Sequence, residues 1–325
     1  MSGFSVNTNE HLIRSNIWTP QIKEIFQDEL FATKYVDMVS DFPDGDTWNM
    51  PSIGQMEVRN YAEGQAVQYT AMDTGNFTLT ITEYKTSATF ITNKMKQDSF
   101  YMGRLVSSFP QRQSRALMKS FEVDVLDVGP RSQASANPNS INGADHRLVA
   151  TGGSDGSRVI DVKDFAKALY ALQQAEVPQV NLVAIVDPSV EYTINTLTNL
   201  VNVSNNPRWE GIIASGMSTG MRFIKNIYGF DVYTSPNLKT GSVAETITAS
   251  QGGARTTGTA PKANLFFSAA PDALPFIGAI RQTPTVESEY KKDLQREEYL
   301  TIMRYGIKLF RPENLVVVLS DAVIV

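Results

Sequence analysis

The sequence contains no cysteine, so disulfides and thiolate chemistry are excluded. That composition fits a reducing compartment, or a particle that must survive outside one. Histidine is almost as scarce: His11 and His146 are the only two, and neither has metal-ligand spacing to a second histidine. The formal net charge of −5 lacks the basic excess of a dedicated nucleic-acid binder. No apolar run approaches the roughly 18 residues that span a bilayer. The opening Met1-Ser2-Gly3-Phe4-Ser5 has no charged-then-apolar leader. The expectation is a chain made in the cytoplasm with no membrane partner.

What the sequence does have is enough apolar material for a large core. It has 325 residues, 42% hydrophobic and 19% charged, which suggests about two folded domains. A chain of this length buries about three quarters of its unfolded surface and needs no covalent staples.

The stretch from Asn76 to Val128 organises the rest. Phe77, Leu79 and Ile81 alternate with Thr78, Thr80 and Thr82, the period of a strand with one apolar face. A second apolar run follows at Ala88 to Ile91. From Asn93 the spacing becomes helical, through Met95, Phe100, Leu105, Phe109, Leu117, Phe121, Val125 and Val128. Pro110 removes a backbone donor and predicts a kink or a second helix starting there. Gly129-Pro130 predicts the end of the helix.

Upstream, residues 1–40 read as an arm, with a helical pattern from Pro20 through Ile22, Ile25, Phe26 and Leu30. Residues 47–91 read as short strands punctuated by Gly54, Gly64 and Gly75. Between Gly54 and Gly75 no repeating core face is visible, as in a long hairpin that projects from the body. Such a hairpin is marginal in water unless another surface covers it.

Downstream, residues 131–158 are loop-like. Asp161 with Asp164 three residues on predicts a capped helix whose apolar face is Val162, Phe165, Ala166, Leu169 and Leu172. Asn181–Val186 reads as a buried strand, and Asp187-Pro188 starts the next helix. Further strands are expected at 222–227, 230–234 and 265–268, making 131–280 a mixed α/β region. Thr240–Ala260 reads as an exposed loop. Residues 281–325 return to β, with Tyr299, Thr301, Met303 and Tyr305 on one face, a break at Gly306, and the turn Arg311-Pro312-Glu313-Asn314.

Sites for chemistry are sparse. Gly152-Gly153-Ser154-Asp155-Gly156 fits a nucleophile elbow in letters, but that motif needs a strand before it, a helix directly after it and a later histidine. No histidine follows position 146, so an α/β hydrolase using Ser154 is a remote alternative. Asp41, Asp44 and Asp46 lack the spacing of a calcium loop. Gly216–Gly220 lacks the Gly-Lys-Ser/Thr ending of a phosphate loop. Glu297 and Glu298 would point to opposite faces of a strand. Trp18, Trp48 and Trp209 are too scattered for a stacking platform and read as core or interface anchors. No catalytic, cofactor or metal site is expected.

The order of elements resembles the major capsid proteins of tailed bacteriophages, the Hong Kong 97-type fold, over essentially the whole chain. The resemblance rests on Phe42-Pro43-x-Gly45-Asp46-Thr47, Met50-Pro51-x-x-Gly54, Tyr61-Ala62-Glu63-Gly64, Thr86-Ser87-Ala88-Thr89-Phe90, and Tyr305-Gly306 with Arg311-Pro312-Glu313-Asn314. These motifs look like the podovirus-like branch. The implied fold is α+β: an N-terminal arm (1–45), an extended hairpin or E-loop (46–91), a peripheral (P) domain with a spine helix (92–130 and 281–325), and an α/β axial (A) domain (131–280).

The resemblance implies hexamers and pentamers of this chain in an icosahedral shell around double-stranded DNA. The chain would work in the virion, after assembly in the host cytoplasm. Expected partners are a separate scaffolding protein, a portal protein, a possible cement or decoration protein, and DNA contacted weakly. The scaffold is expected to be separate because the arm starts at Met1. No lysine lies between Gly54 and Tyr84, so no lysine–asparagine crosslink of the E-loop is expected. Implied inter-subunit contacts are Val58, Arg59, Tyr61, Glu63, Val67 and Tyr69 in the E-loop and Ile17, Trp18 and Ile22 in the arm. Leu117, Phe121 and Val125 would be the core of the spine helix. An encapsulin-type bacterial shell, which shares the fold and encloses protein cargo, is the other reading.

Overall fold

A computed structural model describes residues 32–39, 45–53, 60, 63–66, 74–98, 102–134, 138–153, 158–196, 225–250 and 253–322. In chain order the elements are β1 (Val36–Met38), β2 (Thr47–Ile53), β3 (Thr74–Thr80), β4 (Glu83–Thr92), α1 (Asn93–Asp98), α2 (Met102–Gln133), β5 (Ser140–Ile141), β6 (Ala144–Asp145) and β7 (Arg147–Val149). Then come α3 (Val162–Gln174), β8 (Leu182–Val186), α4 (Pro188–Thr196), β9 (Lys225–Ile227), β10 (Phe230–Thr234), β11 (Thr246–Ala249), β12 (Gly253–Thr256), β13 (Pro261–Ser268), β14 (Phe276–Lys291), β15 (Arg296–Leu309) and β16 (Val316–Asp321).

A four-stranded sheet in the order β1-β14-β15-β4 carries α2 on one face. The period of two in β15 sends Tyr299, Thr301, Met303 and Tyr305 under the helix, all buried. Leu117, Phe121 and Val125, spaced by one helical turn, meet them and are at most 4% exposed. Phe121 packs edge-on against Tyr305 with ring centroids 5.0 Å apart. Gln113 accepts from Thr301 Oγ1 at 2.8 Å, which satisfies a hydroxyl that would otherwise be buried alone.

Three punctuation marks of the sequence do not punctuate the structure. Pro110 lies inside α2, which runs from Met102 to Gln133. A mid-helix proline costs about 3 kcal/mol, and packing beside it offsets part of this: Phe109 sits edge-on to Tyr299 at 6.0 Å. Gly129-Pro130 also lies inside α2, which runs on to Gln133. The glycine lets Leu315 and Phe276 pack close to the helix, since a Cβ on Gly129 would come within 2.5 Å of Leu315 Cδ2 and 3.3 Å of the Phe276 ring. Gly306 does not break β15. A Cβ on it would lie 2.6 Å from the Thr80 carbonyl oxygen, so it permits a close backbone approach.

The second layer is a six-stranded sheet in the order β7-β16-β13-β8-β10-β9. β8 and nearly all of β13 and β16 are buried, as continuous apolar runs require when both sheet faces are covered. On one face Phe165 of α3 meets Phe266 and Phe230 edge-on, at 5.1 and 6.4 Å. The other face shares one core with α2 and the first sheet, through Val183, Ile185, Leu265 and Val317. α3 starts with a complete capping box between Asp161 and Asp164. The stretch 131–158, which reads as loop, contains the short strands β5, β6 and β7, and the glycine-rich stretch 240–260 contains the β11–β12 hairpin. The apolar tail β16 joins the six-stranded sheet beside β13 and β7, and does not stand with the β14–β15 hairpin.

Buried polar side chains lock the crossing between the layers and the strand order of the six-stranded sheet. Asn314 accepts from the Ser268 amide and donates to the Ser268 carbonyl, both at 2.8 Å, and also donates to the Ala273 carbonyl. Gln133 Nε2 donates to the Leu315 carbonyl at 2.9 Å, and His146 Nε2 lies 3.1 Å from the Glu313 carbonyl. Asn264 takes the Asp187 amide at 3.0 Å and gives to the Val318 carbonyl at 3.0 Å.

Candidate assembly surface

Among the described residues β2 and β3 pair only with each other, from Thr47↔Thr80 to Ile53↔Thr74. Their root is anchored. Leu79 is fully buried with Ile277 and Ala279, and Trp48, Met50, Phe77 and Phe310 pack around them. Three cations from the four-stranded sheet close over this root. Arg304 pairs with Asp46 at 2.8 Å, Arg281 donates to the Gly45 carbonyl, and Lys308 donates to the Thr78 carbonyl at 2.7 Å. Lys308 also sits 4.7 Å above the Phe77 ring. The hairpin therefore leaves the body at a fixed place, while Glu63–Ala66 are exposed.

Of the expected E-loop contacts, only Glu63 is among the described residues, and it is exposed. Val58, Arg59, Tyr61, Val67 and Tyr69, and the arm residues Ile17, Trp18 and Ile22, lie outside the described residues. Leu117, Phe121 and Val125 sit in the main core. The root cations Arg281, Arg304 and Lys308 were not visible as a group in the sequence. Each sits at an ordinary strand position, Arg281 and Lys308 exposed and Arg304 partly buried, and only pairing brings them together.

The sheet face away from α2 is the other exposed apolar surface. Cross-strand register places Tyr84, Ala88 and Phe90 of β4 beside Arg304, Leu300 and Glu298 of β15. Tyr84 is 61% and Phe90 56% exposed. Arg296 lies 4.7 Å over Phe90. Ion pairs rim this end: Lys291 with Glu298 at 2.8 Å, Arg296 with Glu298 at 2.6 Å, and Lys96 with Glu297. Lys291 pulls the Glu298 carboxyl below its usual range, and Lys96 does the same for Glu297. The two glutamates face opposite sides of the strand, Glu297 opposite Ile91 and Glu298 opposite Phe90.

Nothing among the described residues assembles into a reaction centre. His146 is fully buried, with Nδ1 3.1 Å from the Ala144 carbonyl, and burial holds its pKa below the usual value. Burial raises the pKa of Asp164, whose carboxylate is engaged by the Thr151 and Asp161 amides at 2.9 Å. Ser154 lies outside the described residues, and Gly152 before it bridges to Val159 in a loop, not at the end of a strand. Among the described residues no group of three or more His, Asp or Glu side chains could hold a metal. No described helix is long and apolar enough to cross a membrane.

Comparison with known proteins agrees. No curated protein matches the sequence. The fold is similar to the capsid structure of the cyanophage P-SCSP1u, with a TM-score of 0.71, 16% identity, and coverage of 98% of this chain and 97% of that one. It is also similar to the capsid asymmetric unit of cyanophage Pam1 (0.68, 11%, 99% of both chains) and to a structure from Mycobacterium phage Che8 (0.67, 16%, 95% and 97%). Residues 75–318 match the model of the family described as phage capsid protein. With three quarters of its length inside that match and the Hong Kong 97-like fold throughout, this chain belongs to the phage capsid protein family.

Proposed function

We propose that the chain assembles as hexamers and pentamers into an icosahedral shell enclosing double-stranded DNA. The observation that carries this reading is the β2–β3 hairpin, fixed at its root by Arg281, Arg304 and Lys308 and paired with no other strand among the described residues. A lone hairpin is marginal in water, so a neighbouring copy is the natural cover. Val58, Tyr61, Val67 and Tyr69 would supply apolar contact and Arg59 and Glu63 the charged rim, with Ile17, Trp18 and Ile22 adding contacts from the arm.

The four-stranded sheet with α2 takes the part of the peripheral domain and the six-stranded sheet with α3 that of the axial domain. β16 pairs within the six-stranded sheet, so in this reading the axial part would also take in the C-terminal strand. Each chain would bury roughly 2,000–5,000 Å² in total, the size of obligate interfaces. Many modest contacts closed by symmetry then give a stable shell. Scaffolding, portal and cement proteins are the partners such a shell would use, and packaged DNA would be held weakly.

The test is mass by light scattering, with electron micrographs of the same sample, at several concentrations and with a candidate scaffolding protein added. Closed shells of megadalton mass are expected. A monomer of 35.9 kDa under every condition would overturn the reading.

A further inference from the structure

β9 and β10 are joined by the two-residue turn Tyr228-Gly229, between the paired residues Ile227 and Phe230. Both turn residues have positive φ, 51° and 87°. That is the pattern of a type I′ turn, whose first position favours Asn, Asp or Gly. A tyrosine there is strained, because its Cβ crowds its own backbone. Nothing within the described residues offsets that strain: the Tyr228 side chain is 53% exposed and makes no hydrogen bond or ring contact with them.

At the other edge of the same sheet is a pocket. The order β7-β16-β13-β8-β10-β9 sets the two edges about 24 Å apart, at ~4.8 Å per strand. The pocket holds about 350 Å³ of empty space, open to solvent, between Gly143, Ala144 and Asp145, Leu148 of β7, and Lys167 and Tyr170 of α3. The charges beside the two features are opposite in sign. The only acid of α3, Asp164, is buried, so the outer face of that helix carries Lys163 and Lys167. On the Tyr228 side, Asp231 of β10 is half-exposed and held by the Asn226 amide at 2.8 Å. α4, whose Val190 and Ile194 share a core with Ile227 and Phe230, carries Glu191 and no cation.

We propose that Tyr228 of one copy seats in this pocket on the next copy, between Leu148 and Tyr170, with the Lys167 ammonium at its ring face. One chain cannot join the opposite edges of its own sheet, so the contact needs a second copy. It is head-to-tail: each copy gives its turn to one neighbour and its pocket to the other, and a chain of such contacts closes into a ring. The cations of α3 then face the carboxylates on the Tyr228 side, which fixes the order of the partners. Burial of the tyrosine ring at the contact offsets the turn strain only once the copies have met. The proposal rests on the capsid reading and adds to it which two surfaces of the six-stranded sheet join copies within a hexamer or pentamer.

The absence of cysteine makes a clean test possible. The full-length chain carrying Tyr228→Cys with Tyr170→Cys is assembled, treated with a mild oxidant and run on a non-reducing denaturing gel. A head-to-tail contact should give a ladder that stops at closed rings of five and six, while either single variant should stay monomeric. Normal shells without a ladder would overturn the proposal. So would dimers from Tyr228→Cys alone, which would show a two-fold contact. A second variant, Tyr228→Asn, suits the turn and should fold better. Its unassembled chain should melt at a higher temperature than the parent, yet need roughly tenfold more protein to form shells, as expected when a buried aromatic anchor is removed. Tyr228→Phe should assemble like the parent. A Tyr228→Asn chain that assembles at the parent's concentration, or melts no higher, would also count against the contact. A parent chain that forms no shells counts against the capsid reading. The contact is then judged by whether the oxidised double variant still gives closed oligomers in solution, and a monomer would overturn it.

Discussion

Tyr305, in the middle of β15, donates its hydroxyl hydrogen to the carboxylate of Asp124 on α2. This bond crosses from sheet to helix at the point where the Tyr305 ring already meets Phe121. It fixes the rotation of the helix, and with it which residues of α2 face away from the protein.

Tyr305→Phe should keep the packing and lose the bond. Asp124 retains Lys85 at 3.5 Å, so no charge is left alone. A loss of about 1–2 kcal/mol is expected, read as a shift in denaturant midpoint at constant slope. An unmoved midpoint would show that water replaces the bond at no cost. Burial, then Asp124, raises the Tyr305 pKa above the usual tyrosine value of 10.0. The folded state thus holds this proton more tightly. The stabilisation is full below pH 10 and is lost as pH rises through the folded value. Absorbance titration should show this tyrosinate forming only as the protein unfolds.

Gly306→Ala should force β15 away from the hairpin root, because the new methyl meets the Thr80 carbonyl at 2.6 Å and Ile81 Cα at 2.9 Å. Both are backbone atoms and cannot swing aside. The expected cost is about 1–3 kcal/mol, with faster proteolysis in the 45–80 region. Wild-type stability and cleavage rate would show that the approach can relax.

Asn314→Ala should be among the most damaging single changes. It strands the Ser268 amide and carbonyl and the Ala273 carbonyl in a site 1% exposed. Each unpaired buried group costs about 1–3 kcal/mol, so little soluble protein is expected at physiological temperature. Asn314→Asp should fare no better, since it removes both donated bonds and buries a charge. Normal yield and melting temperature in either variant would sink the argument.

Mild acid should weaken the fold through His146. Its folded pKa lies below the usual histidine value of 6.5, chiefly because of burial. The unfolded chain therefore takes up the proton first. The contribution is present above pH 6.5 and is lost as pH falls through the folded value. Asp164 has the opposite sign, since its folded pKa is raised above 3.8. Its contribution is full below pH 3.8 and is lost as pH rises through its folded value. Melting temperature measured between pH 7 and 5 should fall in the parent and be flatter in His146→Gln. Equal slopes would remove His146 from the account.

Tyr61→Asp with Val67→Asp should leave a folded chain that no longer closes shells if, as proposed, both positions contact a neighbouring copy. Far-ultraviolet circular dichroism and electron micrographs separate the two effects. Shells of normal size from this variant would refute the E-loop assignment.

Local spacing in the sequence determined a good part of this molecule. Leu117, Phe121 and Val125 at helical intervals, Tyr299 to Tyr305 at intervals of two, and Asp161 with Asp164 before an apolar stripe all formed what their periods require. Those periods act over a few residues, which is why they can be read without the fold, and their order along the chain carried the capsid resemblance. Only the tertiary structure decided that Pro110, Gly129 and Gly306 interrupt nothing, because each is compensated by atoms distant in sequence. It also decided that β16 crosses to the six-stranded sheet, and that Arg304 reaches Asp46 across 258 residues to hold the hairpin root. Such contacts depend on which strands pair, and pairing is set by the burial of whole faces, which no short window of sequence encodes.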